Sequence, residues 1–416
     1  MKYVLVIGDG MADAPVAQLD GKTPMEALTL DAFDRVAGGD YGRVRTVPEG
    51  LVPGSDTAIL SIFGNDPRTC YTGRSVLEAA GMGITVPQGS VSLRVNLCAV
   101  EERYGRLVIL SHNGGGIHGK DAETLMRDLT AAPSPFASRM SEIKLDIHIT
   151  DTFRHIGVMQ AGAVDLASVR LTEPHGILDH AIEGHYPACT GDHPAALAMC
   201  AGIADLMRLS YEALKDHPIN VARREKGLLP ANMVWPWGAA TAMQLDSFTE
   251  KYHKTGSVIS AVPLVWGIAS LAGLKTPRVK GANGELDTNY QGKVDAVLHA
   301  LDSGDDFAAV HIEAPDEMAH AGEMIKKMRA IQNVNDLVTR PLLEALDARG
   351  EDYRLLLMCD HPTLLTTRGH DGTPVPFAIY DSRRPGSPRK YSESAAKTMP
   401  LLDDGSKLLE RLFSVD

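Results

Sequence analysis

Asp360 and His361 follow the apolar run Tyr353-Arg-Leu-Leu-Leu-Met-Cys359, and His370 comes after them inside the glycine-flanked stretch Arg368-Gly-His-Asp-Gly372. One carboxylate and two imidazoles offer the oxygen and nitrogen donors that a divalent cation accepts. Three side chains leave such a site incomplete, so other segments must supply partners. The stretch Ala308-Ala-Val-His-Ile-Glu-Ala-Pro-Asp-Glu-Met-Ala-His320 carries a second carboxylate and imidazole, Asp316 and His320. Pro315 suits the first turn of a helix, and on a helix the i,i+4 spacing puts both side chains on one face, within reach of one ion. Asp9 ends the apolar run Tyr3-Val-Leu-Val-Ile7 in the same manner. Any one of these residues could be a helix cap or a structural histidine. Carboxylates at three separate strand ends, two of them with histidine, point instead to a metal centre.

A nucleophile is available as well. Ser55 follows the Pro53-Gly54 turn and opens the apolar helical stretch Asp56-Thr-Ala-Ile-Leu-Ser-Ile-Phe63. Free N–H groups and the helix dipole at such a place favour a phosphoryl group, although a serine there is also a natural N-cap. Beside a divalent cation a serine hydroxyl loses its proton more readily and attacks at neutral pH.

These residues need strands to carry them. Short apolar runs with polar ends predict strands over Tyr3–Ile7, Asp306–Ile312 and Arg354–Met358, and helical periodicity covers Ala195–Leu214 and Ile325–Leu346. Alternating strands and helices give an α/β, doubly wound sheet with helices on both faces, whose ligands gather beyond the carboxyl ends of the strands. Between about Pro87 and His185 the texture changes to short alternating segments such as Ser90-Val-Ser-Leu-Arg-Val-Asn96 and Lys144-Leu-Asp-Ile-His-Ile149, set among glycine-, serine- and proline-rich loops. This predicts a core of residues 1–86 and 186–416 and an inserted α+β cap over 87–185.

The 416 residues, 44% hydrophobic, exceed what one core usually organises. A formal net charge of -12 without a basic block argues against nucleic acid and membrane surfaces as partners, while small anions remain suitable ligands. The proline-broken basic stretch Arg383–Lys390 reads as a solvated loop. Five scattered cysteines without CxxC spacing fit a reducing cytoplasm, and the N-terminal apolar run is too short for a signal sequence or a membrane span. Three look-alike motifs fall away. Gly21-Lys-Thr23 lacks the earlier P-loop glycine, since position 16 is Val16; Gly8-Asp-Gly10 lacks the third dinucleotide-fingerprint glycine, since position 13 is Asp13; and Asp192-His193 follows a loop rather than a strand.

Asp9, the GSDTA stretch around Ser55, CYTGRSVLEA from Cys70, HPINVARREKGLLPAN from His217, GANGELDTNYQGK from Gly281, EAPDEMAH from Glu313 and CDHP from Cys359 with His370 occur in one order along the chain. In this order they resemble the cofactor-independent phosphoglycerate mutases of archaeal type, in the alkaline phosphatase superfamily, nearly end to end. The resemblance implies an alkaline-phosphatase-like core with an inserted cap. It implies one cation on Asp316, His320 and His370 and a second on Asp9, Ser55, Asp360 and His361, with manganese or magnesium expected and zinc an alternative. It also implies 3-phosphoglycerate and 2-phosphoglycerate as substrates, Ser55 as a transient phosphoserine, and no need of 2,3-bisphosphoglycerate or a nucleotide. A homo-oligomer is compatible with it.

Substrate anions call for guanidinium and ammonium groups, which hold carboxylate and phosphate. Arg74, Arg94, Arg154, Arg223 and Lys293 lie in the resembling segments. One departure concerns the substrate: where the archaeal mutases commonly carry an arginine-rich DRRAGR-like stretch, this chain has Leu110-Ser-His112-Asn-Gly-Gly-Gly-Ile117, so His112 stands in for a cationic donor. Relatives with such a stretch are proposed homoserine kinases of threonine synthesis, which makes phosphoryl transfer to homoserine the second reading.

Overall fold

The computed structural model describes residues 1–414 and divides into two compact units. The first comprises Met1–Tyr71, Ala80–Met82 and the chain from Gln244 onward. Its seven-stranded sheet runs in the order Gly256–Ile259, Phe307–Ile312, Lys2–Gly8, Tyr353–Met358, Val375–Asp381, Asp40–Val44, Leu401–Leu402. Every neighbouring pair is parallel except those of Val375–Asp381, which opposes the strands on both sides. The strands predicted from the sequence are all present, within a residue at each end. Phe307–Ile312 and Tyr353–Met358 are buried along their whole length, and Lys2–Gly8 is buried after its first residue. Successive side chains point to opposite faces, so both faces are covered.

Register explains why the acids meet. Ile7 pairs with His311 on one side and with Met358 on the other. Parallel strands in this register end together, so Asp9, the helix after Ile312 and the Asp360 loop leave the sheet at one edge. The helical stretch Ile325–Leu346 is also found, as Met324–Asn333, a wider-turn segment Val334–Thr339 and Arg340–Arg349. Pro341 cannot donate the N–H that a regular turn requires, which accounts for the loosened segment before it.

The second unit comprises Thr72–Ala79 and Gly83–Met243. Its spine is the strand Ser90–Arg103, buried from Ser90 to Val100. Arg154–Gln160 pairs with it on one side and Met233–Thr241 on the other, both antiparallel; Arg106–Ser111 pairs with its far end, and Leu145–His148 extends the sheet. Leu93, Val95, Leu97, Leu125, Phe136, Leu206, Met207 and Trp235 form the core. The boundary expected at His185 therefore lies inside this unit, which runs on to Met243. The reason is physical: the helix over Pro194–Leu214, placed with the main sheet from its periodicity, packs against Met233–Thr241, a strand of the second sheet. Periodicity reveals an apolar face but not which sheet it covers. Among the described residues, no helix is long and apolar enough to cross a membrane.

Candidate active site

Two clusters of metal-type ligands form at the strand ends of the first unit, Asp9 with Asp360 and His361, and Asp316 with His320 and His370; within each, the ligand atoms lie within 4.8 Å of one another. The structure thus brings together, in two groups, the acidic and histidine side chains named from the sequence. The rings of His361 and His370 are 4.2 Å apart, centroid to centroid, so the clusters adjoin.

Each histidine is oriented from behind. His320 Nδ1 is 2.8 Å from the carbonyl oxygen of Arg368, and His370 Nδ1 is 3.2 Å from that of Pro53. A carbonyl only accepts, so both rings carry their proton on Nδ1 and turn a bare Nε2 inward. The two Nε2 atoms are 2.9 Å apart, an arrangement of facing lone pairs that calls for positive charge between them. His361 follows the same scheme. Thr363 donates its hydroxyl proton to Asp316 and can accept from His361 Nδ1 at 3.3 Å, which leaves Nε2 bare.

The carboxylates are likewise half committed. Asp360 Oδ1 accepts from the N–H groups of Gly10 and His361 at 3.1 and 2.9 Å, while Oδ2 is buried without a hydrogen-bond partner. Asp9 Oδ2 is 2.9 Å from His311 Nε2, while Oδ1 is buried and unpartnered. Such orphaned oxygens are costly unless a cation meets them. Burial, reinforced by the charges of Asp360 and Asp316, pushes the Asp9 carboxyl well above its ordinary range. Asp316 is shifted the other way: burial opposes its charge, but the facing Nε2 atoms of His320 and His370 prevail when they carry a proton, and hold it below the ordinary range. The bond to Asp316 raises His320 to about 9, so a proton there answers the same demand for positive charge that a metal would. Oxygen and imidazole donors with bare inward atoms fit a divalent ion. Gly10 makes room for this packing. Its φ is +59°, and a Cβ would lie 2.6 Å from both Asp316 Oδ1 and Thr363 Oγ1.

Ser55 is not a cap. The helix Ser55–Ile62 has Gly54 at its N-cap and no side-chain capping bond. Its hydroxyl instead lies 3.1 Å from His361 Nε2 and 3.4 Å from Asp9 Oδ2. A serine at the first helical position, beside two proton acceptors, is placed to act as a nucleophile.

The candidate substrate residues divide. In the second unit Arg74, Arg94 and Arg154 gather on one carboxylate, Glu78. Arg94 binds it with Nε at 2.9 Å and with its terminal nitrogen, Arg74 Nε is at 3.2 Å, and Arg154 is at 3.8 Å. Arg94 also lies over the Trp237 ring at 4.6 Å. Burial first, and then the Arg94 charge, lowers Arg154 to about 10. Three guanidinium groups on one carboxylate leave positive charge for an anion. His112 lies between the rings of Phe153 and His175, each 6.1 Å away, and burial and the neighbouring His175 and Arg154 lower its pKa. Arg223 behaves differently from the expectation of an anion clamp. It spends its donors on the carbonyl oxygens of Leu229 and Gly114, at 2.9 and 2.8 Å, and so braces the glycine loop. Lys293 belongs to the first unit, where it is fully buried; its Nζ donates to the His311 carbonyl oxygen at 3.1 Å, and burial lowers it to about 8.

His311, Thr363 and Glu78 escaped the sequence reading. Glu78 stands four residues after Arg74, a spacing that signals a pair on a helix. His311 is a polar residue in an otherwise apolar buried strand, which is itself a signal; nothing local marks Thr363.

Residues 37–220 match the family model described as 2,3-bisphosphoglycerate-independent phosphoglycerate mutase. A probable 2,3-bisphosphoglycerate-independent phosphoglycerate mutase of Geobacter sulfurreducens is 38% identical over 99% of this chain and 100% of its own length. The protein named 2,3-bisphosphoglycerate-independent phosphoglycerate mutase in Methanothrix thermoacetophila is 40% identical over 92% of this chain and 91% of its own. Among solved structures, the cofactor-independent phosphoglycerate mutase of Thermoplasma acidophilum superposes with a TM-score of 0.63 at 23% identity, covering 99% of each chain. A protein of Pyrococcus horikoshii does so with a TM-score of 0.78 at 24% identity, covering 100% of this chain and 98% of its own. These two similarities concern the fold.

Proposed function

The chain belongs to the 2,3-bisphosphoglycerate-independent phosphoglycerate mutase family; we propose that it interconverts 3-phosphoglycerate and 2-phosphoglycerate through a phosphoserine at Ser55. The observation that carries this reading is the uncapped Ser55 hydroxyl, set beside the bare Nε2 of His361 and the carboxylate of Asp9. Asp9, Ser55, Asp360 and His361 would hold one divalent cation, and Asp316, His320 and His370 the other, with manganese or magnesium suited to these donors and zinc an alternative. Bound cations supply charge that lowers the serine pKa and offsets the negative phosphoryl oxygens.

The residues then have distinct tasks. Ser55 Oγ gives up its proton and attacks phosphorus, the new Oγ–P bond forms as the P–O3 bond breaks, and the leaving glycerate oxygen takes up one proton in return, so none is gained or lost overall. The N–H groups at the start of the Ser55 helix that Asp56 does not take would favour the phosphoryl group. The freed glycerate turns so that its 2-hydroxyl attacks the same phosphorus, and Ser55 leaves. Two in-line displacements give net retention at phosphorus. Water must be kept away while Ser55 is phosphorylated, because hydrolysis would end the cycle as a phosphatase. Arg74, Arg94, Arg154 and His112 are the proposed anion ligands, supported by the excess of positive charge around Glu78. A cytoplasmic location belongs to the same reading and is supported by the five free cysteines.

The glycine loop at His112 gave homoserine phosphorylation as the second reading. Mutase relatives at 38 and 40% identity over more than nine-tenths of the chain favour the first. A side-by-side assay tests both. With Mn²⁺ and no 2,3-bisphosphoglycerate, 3-phosphoglycerate should turn over and Ser55→Ala should not support the reaction. Turnover of homoserine with a nucleotide, and none of 3-phosphoglycerate, would overturn the proposal.

A further inference from the structure

His311 lies one residue before the end of the strand Phe307–Ile312, paired with Ile7, and is 1% exposed. Its Nε2 is 2.9 Å from Asp9 Oδ2, and its Nδ1 is 3.3 Å from the hydroxyl of Ser260, which is also fully buried. The Ser260 oxygen already accepts the Val262 N–H at 3.0 Å. Its own proton is therefore free to be donated to His311 Nδ1. An Nδ1 that accepts fixes the tautomer, leaving the ring proton on Nε2 and directed at Asp9. Lys293 secures the same point from the backbone side through the His311 carbonyl oxygen.

The other ligands are braced differently. Asp360 is held by two backbone N–H groups, and His320 and His370 by backbone carbonyl oxygens. Asp9 is braced by a side chain from the neighbouring strand. A carboxylate turns about one bond, and tying down Oδ2 directs Oδ1, the unpartnered oxygen, toward His361 Nε2, 3.7 Å away.

We propose that His311, with its tautomer set by Ser260, is a positioning residue that fixes the rotation of Asp9 and thereby sets the affinity of one of the two cation sites. The inference rests on the two-cation reading given above. Partners of metal ligands of this kind typically govern affinity by about 10- to 100-fold.

The test is direct titration of metal-free full-length protein with Mn²⁺, following free Mn²⁺ by electron paramagnetic resonance. Wild type should bind two equivalents. His311→Leu should weaken one equivalent about 10- to 100-fold and leave the other unchanged. His311→Gln, whose amide N–H can reach Asp9, should recover most of the loss, and Ser260→Ala should show a smaller loss in the same equivalent. In an Asp316→Asn background, which disables the other site, the His311→Leu effect should persist. Wild-type affinities in folded His311→Leu, an equal loss at both sites, or no recovery by folded His311→Gln overturns the inference while leaving two cations in place. Wild type that binds no Mn²⁺ overturns the two-cation reading and this inference together.

Discussion

Replacing Lys327 by methionine should be among the most damaging single changes outside the ligand set. Lys327 and Asp13 are both 0% exposed at the side chain and meet at 2.7 Å. Lys327 Nζ also donates to the carbonyl oxygens of Thr363 at 2.6 Å and Ala12 at 3.2 Å. Burial pulls the ammonium pKa down and Asp13 pulls it back up, but it remains below its ordinary value. Lys327→Met leaves the Asp13 carboxylate buried without its cation, a loss worth about 3–5 kcal/mol. Asp13 keeps N–H groups from Ala14 at 2.8 Å and Leu365 at 3.3 Å, which argues for the lower end. At about 2–4 °C per kcal/mol for a unit of this size, calorimetry should record a fall of roughly 6–12 °C in Tm. Adding Asp13→Asn removes the stranded charge, so the double variant should recover about 2 kcal/mol relative to the sum of the single effects. Function should suffer too. The Thr363 and Ala12 carbonyl groups pin the two loops that carry Thr363 and Asp9, so more Mn²⁺ should be needed for half-maximal activity. A Tm within 2 °C of wild type for Lys327→Met, or strictly additive effects in the double variant, would refute the reasoning.

Arg154→Met tests the guanidinium cluster. The Arg154 side chain is 34% exposed, so water softens both its burial cost and its repulsion from Arg94, and the penalty it carries is only about 1–2 kcal/mol. Its removal should leave Tm unchanged or slightly raised, while the KM for 3-phosphoglycerate should rise roughly 10- to 100-fold through loss of a charged donor; an unchanged KM would remove Arg154 from the substrate site. His155→Asn tests acid sensitivity. Burial lowers the His155 imidazole to about 4, against an ordinary 6.5, so between these values the unfolded chain takes up a proton that the folded chain refuses. Stability should therefore rise with pH through this window and be complete above it, by up to about 3 kcal/mol. Urea melts at pH 4.5 and 7 should show that His155→Asn flattens the slope, and an unaltered slope would assign it to other groups.

The candidate ligands were legible because parallel strands buried on both faces are written as continuous apolar runs, and polar residues just beyond them stand out. Asp9, Asp316 and Asp360 are of this kind, and the Asp316 and His320 spacing needed only a helix. Ser55 was ambiguous because the same sequence serves as cap or nucleophile; only the Gly54 cap geometry separates the two. The role of Asp13 was out of reach. It served to dismiss a dinucleotide fingerprint, but its partner Lys327 is 314 positions away. Arg223 reads as an anion clamp because it lies in a resembling segment, but its donors are spent on the carbonyl oxygens of Leu229 and Gly114, contacts that no spacing announces. The end of the inserted unit was missed for a related reason, since Met233–Thr241 pairs with a strand more than 100 residues earlier.

The central claim is that Ser55 carries the phosphoryl group between the two positions of glycerate. The direct measurement is rapid acid quench of Mn²⁺-loaded protein during turnover of ³²P-labelled 3-phosphoglycerate, followed by mass spectrometric mapping of labelled peptides. Label on Ser55 that rises within one turnover and passes to 2-phosphoglycerate is the expected result. Label on another residue, or 2-phosphoglycerate formed at full rate by Ser55→Ala, would contradict the account.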